Sequence, residues 1–153
     1  GLPYAFASHF APAQLLQAAA IYRERFQPSE SLDRPHFMAA INVIAAETDE
    51  EARYLASTNE QAIVALRTGS PGRAQPPIRN YREQLPPQAL AMLDQMRSVS
   101  AIGSPQTVRA GIEDFVQRTG ADELIISGST YDPDATRRSL ELTIEVMRQS
   151  PSI

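Results

Sequence analysis

Apolar positions along this chain gather into short continuous runs, and these alternate with stretches of helical spacing. Phe37-Met-Ala-Ala-Ile-Asn-Val-Ile-Ala-Ala46 is one such run, broken only by Asn42, and Leu124-Ile-Ile126 is a shorter one. Runs of this kind suit strands covered on both faces of a parallel sheet. Pro3-Tyr-Ala-Phe-Ala-Ser8 reads as a further strand. Each run is followed by a helical pattern. Ala13 to Phe26 places Leu15, Ala19, Tyr22 and Phe26 on one face and stops before Pro28, whose ring cannot continue a helix. Thr48-Asp-Glu-Glu51 has the spacing of a capping box and opens the helix after the second strand. Ile102-Gly-Ser-Pro leads into another: Ser104 can accept from first-turn amides, Pro105 suits the first position, and Gly120 can end the helix in the left-handed conformation. Its apolar stripe is Val108, Ile112, Phe115 and Val116. Asp132 and Pro133 start a last helix, with Leu140, Thr143, Ile144 and Met147 on its apolar face.

Strand then helix, repeated, predicts about three parallel strands joined by right-handed crossovers. This is either a piece of a doubly wound sheet or part of a (β/α)8 barrel, and the pattern does not choose between them. A single α/β domain over residues 1–150 is expected, with a short tail at 151–153. One stretch departs from the alternation. Residues 68–88, beginning Thr68-Gly-Ser-Pro-Gly and ending at Pro86-Pro87, are rich in helix and strand breakers and carry Arg73, Arg79 and Arg82, just after Arg67. Loops this long inside a domain are usually functional or disordered, so a lid and a solvated linker are both open. A full barrel needs on the order of 250 residues, so 153 residues opening on a strand read as half a barrel: a truncated chain, a small homologue, or half of an assembly. The open sheet edges predict a homo-oligomer.

In parallel barrels, chemistry collects at the carboxyl ends of the strands. That rule selects Ser8 and His9 after the first strand, Ala46 and Glu47 after the second, and Ser127, Gly128 and Ser129 after the third. His9 titrates near neutral pH and could exchange a proton with a ligand; a packing role is the alternative. Asn42 could face the barrel interior and hydrogen-bond there, or be a satisfied structural amide. Asp122 and Glu123 precede their strand and so fall at its amino end, where conservation of structure rather than catalysis is served. No catalytic residue is assigned. His9 and His36 fall at opposite ends of their strands and the chain has no cysteine, so no metal site is expected.

Composition removes several classes. The formal net charge is -4 and no run of like charges leaves a nucleic-acid footprint. All 14 basic residues are arginine, which excludes a lysine Schiff base and a Gly-Lys-Ser phosphate loop within this chain. Neither a leader nor a membrane-length apolar run is visible, and a cytoplasmic protein working on small molecules is the expectation.

Four segments in order resemble the luciferase-like flavin-dependent monooxygenases: Gly1-Leu-Pro-Tyr-Ala-Phe-Ala-Ser-His-Phe-Ala-Pro12, Ile41-Asn-Val-Ile-Ala-Ala46 with Thr48-Asp-Glu-Glu-Ala52, Ile102-Gly-Ser-Pro-Gln-Thr-Val108, and Gly120-Ala-Asp-Glu-Leu-Ile-Ile126. The resemblance covers nearly the whole chain and implies the carboxy-terminal part of a (β/α)8 TIM barrel, starting at the family's sixth strand. It also implies a flavin partner, FMN or alternatively the deazaflavin F420, and a small organic substrate oxygenated with O2. Ala7, Ser8 and His9 would then lie close to the flavin ring, with Ser127 and Gly128 at the same end of the barrel. Residues 68–88 resemble the family's mobile lid. The other half of the flavin site would lie on strands outside this chain. The alternative is an inactive or self-associating module.

Overall fold

A computed structural model describes residues 1–149; the end of the expected domain at 150 and the tail 151–153 lie outside the described residues. The described residues form four parallel strands, β1 (Tyr4–Phe6), β2 (Phe37–Ala45), β3 (Ser100–Gly103) and β4 (Glu123–Ser127). Their five helices are α1 (Leu15–Arg25), α2 (Asp49–Arg67), α3 (Pro87–Arg97), α4 (Pro105–Thr119) and α5 (Pro133–Arg148).

The sheet is organised around β2. Met38 and Ala39 pair with both β1 and β4, and Asn42 pairs with both β3 and β4. A strand residue has one partner per edge, so β1 and β3 lie end to end along one edge of β2, and β4 occupies the other. The fourth strand corrects the expectation of about three. Ile102 and Gly103 do not lead into the helix but finish β3, which is short and contains Ser100 and Gly103, leaving no apolar run to announce it.

Side chains alternate across β2. Phe37, Ala39, Ile41, Val43 and Ala45 face a helix layer and form one core with Leu15 and Ala19 of α1, Val108, Ile112 and Phe115 of α4, and Leu142 of α5. The expected stripe of α4 is the observed one; that of α1 holds for Leu15, Ala19 and Tyr22, whereas Phe26 lies past the end of the helix in extended conformation. The stripe of α5 is rotated: Ser139, Leu142, Thr143 and Val146 are buried, while Leu140 and Ile144 are exposed. Ser139 is the reason, because its Oγ accepts from the Ala45 amide at 2.8 Å and fixes that face against the strand.

The opposite face of the sheet carries Ala5, Met38, Ala40, Asn42, Ile44, Ile102, Ile125 and Ser127. Over its carboxyl end sit α2 and α3, not a crossover layer. The helix that opens at the Thr48 cap, α2, therefore lies on the face opposite the layer of α4, and α4 is the crossover that returns to β4. Toward the amino end this face is uncovered, and Ile125 is 45% exposed. The expectation that Leu124 to Ile126 is covered on both faces fails there, since among the described residues nothing covers Ile125.

Candidate functional site

The two ends of the strands treat their polar groups differently. At the amino end the groups are paired with one another. Asp122 Oδ2 accepts from the Phe37 amide at 2.8 Å while the Phe37 carbonyl accepts from the Asp122 amide at 2.9 Å, and His36 Nε2 meets Glu123 Oε2 at 3.1 Å. Arg23 Nη2 donates to the Thr119 and Gly120 carbonyls at 2.8 and 2.6 Å, closing the end of α4, and its guanidinium stacks on Phe37. Asp122, Glu123 and His36 thus lie paired at the amino end of the strands, where the sequence placed them.

At the carboxyl end a cleft of about 300 Å³ opens between the strand tips and α2. It brings together His9 and Phe10 from the turn after β1, Asn42 from β2, and Ser127, Gly128 and Ser129 after β4. Asn59, Ile63, Leu66 and Arg67 of α2, with Met96 of α3, form the facing wall. Ser127 Oγ donates to Asn42 Oδ1 at 2.7 Å, which orients the amide at the cleft floor. Gly128 has φ +155° and lies against β2, where a Cβ would collide with the Val43 carbonyl oxygen, so only glycine lets the chain pass at this depth. His9 is half-buried, its ring centroid 4.1 Å from that of Phe10 with the planes tilted by 45°, and its Nδ1 is buried with no hydrogen-bond partner among the described residues. Burial lowers the pKa of His9 below its ordinary value, which favours neutral imidazole at neutral pH. An orphaned buried nitrogen is costly unless a ligand or water meets it.

The remaining expected residues fall elsewhere. Ser8 is fully buried: its Oγ donates to the Ala40 carbonyl, filling the gap on the β2 edge between the end of β1 and the start of β3. Ala7 is exposed in the turn, where its carbonyl accepts from the Phe10 amide. Glu47 turns to α5 and pairs with Arg138 at 2.8 Å. Of the four arginines, only Arg67 reaches the cleft. Arg82 joins Glu60 of α2 at 3.0 Å and Asp94 of α3, and Arg79 stacks on Tyr54. The segment carrying them is strapped along α2: Thr58 Oγ1 and Gln61 Nε2 donate to the carbonyls of Gln75 and Pro76, each at 2.9 Å, and Ser57 Oγ accepts from the Ile78 amide at 2.7 Å. Sequence reasoning missed the wall. Asn59, Ile63, Leu66 and Arg67 are spaced i, i+4, i+7 and i+8, a helical stripe that a face-by-face reading of α2 would have found.

The comparisons with known proteins decide the family. The model of the luciferase-like monooxygenase family matches residues 1–123. The chain belongs to the luciferase-like monooxygenase family. It is 40% identical over 149 residues to a luciferase-like monooxygenase of Escherichia coli K12, covering 97% of this chain and 44% of that protein. It is 37% identical to the uncharacterised protein YvbT of Bacillus subtilis, again covering 44% of it. The chain thus spans less than half the length of the curated relatives it matches. Among solved structures, apo-MsnO8 superposes with a TM-score of 0.77 at 26% identity, over 99% of this chain and 46% of that one. The oxygenating constituent of 3,6-diketocamphane monooxygenase of Pseudomonas putida, solved in complex with FMN, gives 0.57 at 20% identity, over 99% and 43%. The fold is accordingly part of a TIM barrel of this luciferase-like family, as the resemblance implied. Among the described residues no helix is long and apolar enough to cross a membrane.

Proposed function

We propose that this chain supplies one side of the flavin and substrate site of a luciferase-like monooxygenase that uses reduced FMN. The observation that carries the reading is the orphaned His9 Nδ1, buried in the same cleft as the Ser127–Asn42 pair. These groups fit the polar edge of a flavin ring: neutral imidazole and a carboxamide can each donate or accept, and the floor at Gly128 has no side chain in the way. Ser8 acts behind them, holding the turn that presents His9, and Ala7 leaves the turn's surface small. Reduced FMN, when bound, supplies the electrons, so that FMNH2, O2 and a small organic substrate become FMN, oxygenated substrate and water. His9 and Asn42 orient the ring edge, neutral His9 can hold or pass a proton at Nδ1, and the apolar side chains of Ile63 and Met96 limit water at the facing wall. Because residues 75–82 are strapped to α2, any lid action of residues 68–88 is carried by α2 and its strap together. F420 is the alternative cofactor, and the working protein is a soluble homo-oligomer of the cytoplasm.

Anaerobic titration of the chain with reduced FMN, and of the oxidised flavin in air, followed by absorbance and fluorescence, tests this. Saturable binding that His9→Ala weakens by about tenfold is expected. Absence of binding to either FMN or F420 overturns it. A second reading, a self-associating module, is favoured by the exposed Leu2 and Ile21, which flank an apolar groove with Tyr22 and Phe26 beside β1. Concentration-dependent assembly in light scattering without flavin binding would select it.

A further inference from the structure

A second cavity, of about 350 Å³ and open to solvent, lies on another face of α2 from the strand-end cleft. Its size falls at the lower end of the range for small-molecule pockets. Four arginines and three glutamates line it, a surplus of one positive charge. Three of the arginines are engaged. Arg82 bridges Glu60 at 3.0 Å and Asp94 of α3, Arg79 meets Glu50 at 3.6 Å and lies 4.8 Å over the Tyr54 ring, and Arg53 stands near Asp49, whose carboxyl it helps to hold low. Arg97, in the last turn of α3, is half-buried and has no hydrogen-bond or ion-pair partner among the described residues. The carboxylates of the cavity do not make up for this, because Glu60 and Glu50 face other arginines and Glu83 is exposed to water. A guanidinium keeps its charge at physiological pH, and drawing it out of water without a counter-ion is costly. Arg97 also lines the narrow space between this cavity and the cleft, together with Ala56, Glu60 and Ile102, which places it at the inner end. Tyr54 and Tyr81 are half-buried walls, and neither hydroxyl has a hydrogen-bond partner among the described residues.

We propose that this cavity is a binding site for a small organic monocarboxylate, with the carboxylate on the Arg97 guanidinium and an apolar, ring-sized body along Tyr54, Tyr81 and Ile102. The planar fork of arginine matches the two oxygens of a carboxylate. One unmatched cation selects a single negative charge over a phosphate dianion, and the two phenol rings with Ile102 give an organic body a surface that a bare inorganic anion cannot use. The Tyr54 and Tyr81 hydroxyls are free to donate to the same ligand. The site uses none of His9, Asn42 or Ser127, so it does not rest on the proposed flavin function.

Benzoate, titrated into the whole chain at constant ionic strength and followed by the Ile102 methyl and Arg97 Nε–H resonances, gives the test. Saturable shifts at both are expected, with benzamide, the neutral counterpart, and orthophosphate each weaker by about tenfold or more. Arg97→Met is expected to weaken benzoate by about tenfold or more, and Arg97→Gln takes its place should the methionine variant fail to fold. Shifts that sodium chloride alone reproduces, an affinity that survives loss of Arg97, or benzamide or phosphate binding equal to that of benzoate overturns the carboxylate site. So do shifts centred on Ser127 and Gly128, which would put benzoate in the strand-end cleft instead. Loss of flavin binding in the titration above would remove the proposed function and leave the benzoate result standing.

Discussion

Both ends of this sheet carry a histidine, a carboxylate or amide, and backbone groups freed by the strands stopping, yet they are completed in different ways. At the amino end His36 meets Glu123, Asp122 ties down Phe37, and Arg23 caps α4, so the polar groups satisfy one another. At the carboxyl end Ser127 and Asn42 pair, but the buried Nδ1 of His9 has no partner among the described residues. The same chemistry is satisfied at one end and leaves a buried nitrogen unmatched at the other. A comparable contrast runs through the sheet, where the helix face is a continuous core and the opposite face exposes Ile125.

The largest effect that separates these regions is expected in the helix-face core. Phe115, 1% exposed, becomes a cavity in Phe115→Ala and should cost about 3–5 kcal/mol in urea unfolding, whereas Ile125→Ala on the open face should cost less than about 1 kcal/mol. Equal costs would mean that the open face is covered in solution, as self-association requires. Next comes Gly128→Ala, which combines an unfavourable φ with a collision against Val43 and should cost about 2–4 kcal/mol. Unlike Phe115→Ala, it should also abolish flavin binding in whatever fraction remains folded, because it displaces the cleft floor.

These two positions also show what could be read in advance. Phe115 was legible, since its stripe with Val108 and Ile112 repeats at helical spacing between a clear cap and a clear stop. Gly128 was legible only as a position after a strand; its need for glycine comes from the close approach of Val43, a contact remote in sequence. The strand Ser100–Gly103 was hidden by its shortness, and the seating of α5 by a hydroxyl, Ser139, that no apolar pattern marks. The position of His9 in the cleft was legible from its place just after a strand. Its neighbours Asn59, Ile63 and Arg67 were not, because α2 resembled an ordinary crossover helix and its position over the strand tips is set by tertiary packing.

A smaller effect is expected at the closed end. Asp122→Ala leaves the Phe37 amide without its acceptor and should cost about 1–2 kcal/mol, with no change in flavin affinity. A loss of affinity there would break the division between a structural end and a binding end.

The smallest effects on stability are the most informative about that division, because they appear in separate pH windows. Asp49, at the start of α2, accepts from the Ser104 amide at 2.6 Å, and that bond, with those from Thr107 and Ser104 hydroxyls, holds its carboxyl below the ordinary range. Its contribution is present above about pH 3.9 and is lost as pH falls through the lower folded value, so Asp49→Asn should flatten the acid limb only below about pH 4. His9 is lowered by burial, so between its folded pKa and about 6.5 the unfolded chain holds the additional proton. Stability should therefore decline as pH drops below about 6.5 and level off beneath the folded value, and His9→Asn should remove that slope while leaving stability at pH 8 nearly unchanged. Bound flavin should steepen the slope if it contacts neutral Nδ1, since protonation would then also cost the ligand contact. A slope near pH 6 that survives His9→Asn would place the titrating group elsewhere and remove the reason for setting His9 apart from His36.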